Sequence, residues 1–250
     1  MKEFLQREFV LTVQFLMLRQ FTMSNICENI LRLKEKINLY EKKYGREINS
    51  VKLLAVSKTH GKDIIIDARK CGQKYFGENY LKESIEKINQ LREYDLSWHY
   101  IGNIQSNKIK YIAENFDWVH SIDSIQSLEK LSKYRPENYG NINVCLQVNI
   151  DDEKSKSGVK INEVDNFFTQ AGALGSVNLR GLMAIPKQTN EYNLQVEKFQ
   201  ILKDCFEDLL NKGFSVDTLS MGMSNDFKAA IKCGATIIRV GTAIFGERVK

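Results

Sequence analysis

Eight short apolar runs recur along the chain, separated by longer stretches in which apolar residues return every three or four positions. The runs are VKLLAV (51–56), KYFGE (74–78), WHYIG (98–102), WVHSI (118–122), NVCLQVNI (143–150), LRGLMAI (179–185), TLSMGM (218–223) and TIIRVG (236–241). Amphipathic segments near 62–71, 79–92, 104–115, 124–134, 161–174, 191–212 and 225–233 follow them. Short apolar runs read as strands, the longer periodic ones as helices, and parallel neighbouring strands need such a crossover. An open doubly wound sheet would also use this alternation. The count of eight, the lack of a Pro/Gly-rich linker and a total of two prolines, Pro136 and Pro186, favour an α/β fold with a single (β/α)8 TIM barrel.

A helix is predicted ahead of the first strand. Ile26, Ile30, Leu33, Ile37 and Tyr40 recur at helical spacing, Ser24 or Asn25 can cap the first turn, and Gly45 ends it. Residues 1–22 are expected to form an extension outside the fold, with Met23 as the ordinary initiator and 23–250 as the barrel domain. Phe9 to Leu18 is apolar behind Lys2 and Arg7, but no small-residue cleavage site follows and the run is too short to span a bilayer. A cytoplasmic protein, off the membrane, is the expectation.

Composition narrows the function classes. With 36 basic and 31 acidic residues mixed along the same segments, the net charge of +5 reads as a solvated surface and not a nucleic-acid face. Cys27, Cys71, Cys145, Cys205 and Cys233 are scattered, with no CxxC pair, which fits thiols in a reducing compartment. His60, His99 and His120 form no local zinc pattern, so no metal is expected.

In such barrels chemistry sits where the strands end. The candidates are Lys58, Glu78, Asn79, His99 to Asn103, His120 to Asp123, Asn149, Met183, Ala184, Met221 to Ser224 and Arg239 to Thr242, all expected at one mouth. Lys58 directly follows the first strand. With an ordinary pKa near 10.4, only about one lysine in 2,500 is neutral at pH 7, so a lysine meant to attack an aldehyde needs burial or a nearby cation such as Arg239. By spacing alone Lys58 could equally snorkel from the rim. Gly222-Met223-Ser224, with Ser224 expected as an N-cap, and Gly241-Thr242-Ala243 fall after strands seven and eight, the usual phosphate seat of this fold. An aldehyde trap with a phosphate anchor is the chemistry of pyridoxal 5′-phosphate (PLP). Arg239 ends strand eight beside that anchor, and an arginine at the ring nitrogen makes the ring a poor electron sink, which disfavours transamination.

The ordered set AVSKTH, FGENY (76–80), WHYIGNIQSNK (98–108), VHSID, SKSG (155–158), GLMAIP (181–186), LSMGMSND and RVGTAIFG closely resembles the YggS/PROSC family of pyridoxal phosphate homeostasis proteins. The resemblance runs from 24 to 248 and implies the barrel of alanine racemase standing alone. It implies that Lys58 holds PLP as a Schiff base, that Ser224, Gly241 and Thr242 hold the phosphate, and that Arg239 faces the pyridine nitrogen. Asn79 and Met223 are further pocket residues, and Lys156 is read as a solvated loop lysine. Ile104 stands where the family usually has Leu, and Gly61 where many relatives have proline.

The implied role is PLP binding in vitamin B6 and amino-acid homeostasis, with PLP-dependent apo-enzymes as possible partners and no catalytic residue. A PLP-dependent racemase is the alternative. Racemisation needs a second acid/base group, which alanine racemase takes from another domain, and this sequence ends at Lys250 just after strand eight, so a monomeric non-enzyme is expected. A Schiff-base aldolase using Lys187 is the third reading.

Overall fold

All eight strands form, and the last pairs with the first to close the sheet. The computed structural model describes residues 25–153, 157–172 and 174–246. The strands are β1 (Lys52–Val56), β2 (Tyr75–Glu78), β3 (Ser97–Tyr100), β4 (Trp118–Ile122), β5 (Ile142–Gln147), β6 (Val177–Met183), β7 (Thr218–Ser220) and β8 (Ile237–Val240), parallel and in sequence order. Helix α1 covers 25–43. The crossover helices are α2 (Lys62–Lys70), α3 (Leu81–Gln90), α4 (Ile109–Asn115), α5 (Ile125–Tyr134), α6 (Val164–Ala171), α7 (Tyr192–Asn211) and α8 (Phe227–Lys232), and α9 (Thr242–Phe245) follows β8. The expected extension 1–22 and Lys156 lie outside the described residues.

Period-two alternation separates two interiors. Leu53 and Ala55 of β1 and Ile238 and Val240 of β8 pack outward in the large core beneath the helices. Leu54, Trp118, Cys145, Met183 and Ile237 face inward and form a second, smaller cluster inside the barrel. Both faces of each strand are therefore covered, which is why the runs read as almost continuously apolar. Ile26, Ile30, Leu33 and Ile37 carry α1 onto the outer core, as their spacing predicts, and Gly45 ends the helix at φ +66°.

Two expectations are corrected. The helix placed at 225–233 begins only at Phe227, with Asp226 at the N-cap position, so Ser224 lies in the preceding turn and does not cap it. Asp226 Oδ1 instead accepts the Met223 amide at 2.5 Å, a tighter closure of that turn than the sequence suggested. Cys27 and Cys71, expected as thiols, are joined in a disulfide with Cα atoms 5.3 Å apart, tying α1 to the end of α2. A separation of 44 residues gives no hint of this proximity, which arises only when α1 packs beside α2. Among the described residues there is no cluster able to hold a metal ion and no helix long and apolar enough to cross a membrane.

Candidate functional site

β1 leaves the barrel through a tight turn. The Ser57 amide still donates to Gly77 O at 3.0 Å, and the His60 amide closes the turn on Ser57 O at 3.1 Å. Thr59, third in the turn, has φ +68°, the type II arrangement that usually takes glycine or asparagine. For a β-branched residue this is a true outlier, costing on the order of 1–3 kcal/mol. Lys58 occupies the second position of that turn, half-buried at the carboxyl end of the barrel.

A cavity of about 230 Å³ opens beside it, smaller than the space drug-sized ligands fill and suited to one substituted ring. The seven residues assigned to the PLP pocket from sequence all line it: Lys58, Asn79, Met223, Ser224, Arg239, Gly241 and Thr242. Val56, Ile101, Met183 and Ile185 give it apolar walls, and His60 and Gly246 complete the rim. Asn79 Oδ1 is buried without a hydrogen-bond partner, an acceptor aimed into a protein environment that does not satisfy it. Its backbone is held in place by a close approach: a Cβ on Gly102 would lie 2.2 Å from Asn79 O. Across the cavity Gly222, at φ +95°, lets the β7 turn bend over α8, where a Cβ would meet Ala230 Cβ at 2.6 Å.

Arg239 forms the floor. It is almost wholly buried, and its guanidinium donates to Ser220 O at 2.6 Å, Ser220 Oγ at 2.8 Å and Ala184 O at 2.9 Å. Burial pulls its pKa down to about 10, offset in part by Asp226, and it remains cationic at neutral pH. Behind it a polar chain runs down the barrel: Ser220 Oγ to His120 Nδ1 at 2.7 Å, His120 Nε2 to His99 Nδ1 at 2.9 Å, and His99 Nε2 to Ser97 Oγ at 3.3 Å. Burial holds both imidazoles neutral, His99 with its pKa lowered to about 3 and His120 also well below the ordinary value. Trp118 stacks on His99 with 5.3 Å between ring centroids.

Several mouth candidates lie elsewhere. His99 and His120 point into the barrel beneath the cavity, because they share inward strand parity with Arg239. Glu78 is fully buried beside Ser57, and Lys187, the aldolase candidate, is exposed with its amide on Asp151 and does not line the cavity. Ser220, Ile185 and His60 were missed as site residues, whereas Ile101, within the range named at the third strand, does line the cavity. Strand parity, counted back from Arg239 and Gly77, is the signal that sorts inward from outward positions.

The residues present fit PLP. A lysine on one wall, a fixed cation in the floor, two small-residue turns opposite and an unsatisfied amide oxygen correspond to an aldehyde, a ring nitrogen, a phosphate and a ring substituent. The first amides of α9 have no acceptor within their own helix and stand beside Gly241 and Thr242.

Comparison with known proteins bears on the same assignment. The family model of the alanine racemase N-terminal domain matches residues 29–249. The chain is 44% identical over 230 residues to a pyridoxal phosphate homeostasis protein of Vibrio cholerae, covering 90% of this chain and 98% of that one. It is 42% identical over 229 residues to the protein of the same name from Escherichia coli K12, with the same coverage of each. Among solved structures, PipY of Synechococcus elongatus with PLP bound superposes with a TM-score of 0.77 at 33% identity, over 88% of this chain and 100% of that one. The alanine racemase of Clostridium difficile shares the fold at TM-score 0.67 and 15% identity, over 91% of this chain and 60% of that one. With more than two-fifths of the aligned residues identical along nearly the whole length of such relatives, the chain belongs to the pyridoxal phosphate homeostasis protein family, built on the alanine racemase N-terminal domain.

Proposed function

We propose that this chain binds PLP and acts in vitamin B6 and amino-acid homeostasis as a carrier, without catalytic turnover. The observation that carries the reading is the cavity where Lys58, Arg239 and the turns after β7 and β8 converge, in a family whose relatives bear that name. When bound, PLP supplies a reactive aldehyde and an electron-accepting ring.

Lys58 is the residue that attaches covalently, its amine condensing with the aldehyde and releasing water. Ser224, Gly241 and Thr242 hold the phosphate with hydroxyl and amide donors, in bonds worth about 1.5–3 kcal/mol each when one partner is charged. Arg239 donates to the ring nitrogen from its fixed position, while Asn79 and Met223 contact the ring. A guanidinium has no proton to give at neutral pH, so the ring stays unprotonated and a weak electron sink. This supports storage over chemistry at an amino-acid α-carbon. The likeness to alanine racemases at 15% identity carries the fold alone.

The barrel domain is assigned to 23–250 and acts as a monomer in the cytoplasm, passing PLP to PLP-dependent apo-enzymes. In that compartment the Cys27–Cys71 pair would be open to reduction. Borohydride reduction of the PLP-loaded protein followed by peptide mapping tests the central assignment. An adduct on Lys58 is expected, and an adduct on another lysine overturns it. Chiral analysis of alanine and serine after long incubation with loaded protein should show no turnover at enzymatic rates.

A further inference from the structure

The turn that presents Lys58 is gripped on both sides by one cluster. On the near side, Ser57 Oγ donates to Glu78 Oε1 at 2.6 Å, and Lys87 Nζ donates to Ser57 O at 2.9 Å and to Glu78 Oε1 at 2.8 Å. On the far side, Glu83 Oε1 accepts the Thr59 amide at 2.6 Å while pairing with Lys87 Nζ at 2.5 Å. Lys87 and Glu78 are almost wholly buried, and the three protons of the Lys87 ammonium are matched by three acceptors. Glu83 and Lys87 share one face of α3, four residues apart, so a single helix reaches both flanks of Lys58.

This arrangement is more than a fold needs at the end of a strand. Thr59 sits at φ +68°, where a threonine does not rest unaided, and the Glu83 carboxylate bonds the amide of that same residue. Strain at a β-branched residue persists only when its surroundings over-determine it, and here they converge on the residues either side of Lys58.

We propose that Glu83 and Lys87, with Glu78, form a clamp that holds the Ser57–His60 turn in its strained form and so aims the Lys58 amine into the cavity. They are positioning residues: they act through Ser57 and Thr59 and touch neither the ring nor the phosphate. The inference rests on Lys58 being the residue that attaches to PLP. Releasing the clamp lets the turn relax to conformers in which the amine is misdirected, and covalent attachment slows by the fraction of time spent there.

The test uses Glu83→Ala, because Glu83 is partly exposed and its loss spares the buried pair Glu78–Lys87. In ligand-free protein the Thr59 amide of Glu83→Ala should exchange with solvent at least about tenfold faster than in the parent, with the β-strands equally protected. Attachment of PLP, followed by absorbance after mixing, should slow about tenfold. Affinity for pyridoxine 5′-phosphate, which has the phosphate and ring but no aldehyde, should be unchanged. Adding Thr59→Gly, which adopts positive φ freely, should return attachment to within about threefold of the parent. Unchanged Thr59 exchange or attachment in Glu83→Ala, or no rescue by Thr59→Gly, overturns the clamp. If the parent's borohydride adduct maps to a lysine other than Lys58, the functional reading itself fails and the clamp falls with it.

Discussion

Arg239 Nη1 donates to Ser220 Oγ at 2.8 Å, and this bond heads the buried polar chain behind it. A guanidinium only donates, so Ser220 Oγ accepts from it and keeps its own hydroxyl proton available to donate to His120 Nδ1. His120 then carries its proton on Nε2 and gives it to His99 Nδ1, which leaves the His99 proton on Nε2 facing Ser97. A neutral imidazole supplies one donor and one acceptor, as each link requires. The low pKa of both histidines and the fixed position of the arginine are thus one arrangement.

Ser220→Ala should break this chain at its most connected point. It leaves His120 Nδ1 buried without a donor and removes one anchor of Arg239, a loss of about 1–3 kcal/mol. Denaturant unfolding measures the loss, and equilibrium dialysis should show weaker PLP retention. Parent-like stability together with parent-like retention would mean that the chain does not support Arg239.

Lys58→Ala should abolish the borohydride-stable adduct yet keep noncovalent PLP binding, because the phosphate turns after β7 and β8 are untouched. Mass spectrometry reads the adduct and ultrafiltration the bound ligand. A variant with the parent's absorption spectrum and adduct would exclude Lys58 as the attachment point.

The buried histidines set a pH dependence with a definite sign. His99 is neutral in the fold down to about pH 3, whereas in the unfolded chain it takes up a proton near its ordinary value of 6.5. Its contribution is intact above about 6.5 and is lost as pH falls from there toward about 3, at up to ~1.4 kcal/mol per unit. Buried carboxyls with raised values, Glu78, Asp117 and Asp226, act in the opposite sense at acid pH, so the test is a difference. Between about pH 6 and 4, inside that window, unfolding free energy should fall more steeply in the parent than in His99→Phe. Equal slopes would contradict a neutral buried His99.

The bond between Cys27 and Cys71 predicts that unfolded protein prepared without reductant titrates only Cys145, Cys205 and Cys233 as thiols. Closing a loop of 44 residues restricts the unfolded chain, and reduction should lower stability by up to ~4 kcal/mol. Five reactive thiols, or identical unfolding with and without reductant, would count against it.

Much of the site was legible because a barrel brings the ends of all its strands to one face. Lys58, Asn79, Arg239 and the glycine turns could be named from their places at strand ends, and all of them line one cavity. His99 and His120 were named with them, yet they lie beneath the cavity: they point inward as Arg239 does but sit deeper in the barrel, His120 as the middle residue of β4, and depth depends on the register set by neighbouring strands. The bulges in β4 and β6 shift that register in ways no local pattern records. Ser224 shows the same limit at a turn: its type suits a cap, but the chain bends three residues before the helix starts.

By itself the sequence determined the eightfold alternation, the amine after the first strand and the small-residue turns after the last two, since these depend on local periodicity and residue type. Tertiary structure alone decided that α3 reaches back to grip the turn around Lys58, that a serine links Arg239 to two histidines, and that Cys27 meets Cys71. These are contacts between segments far apart in the chain. They exist only once closure of the sheet has fixed which side chains share an interior, and apolar burial, which drives that closure, is blind to the polar partners it brings together.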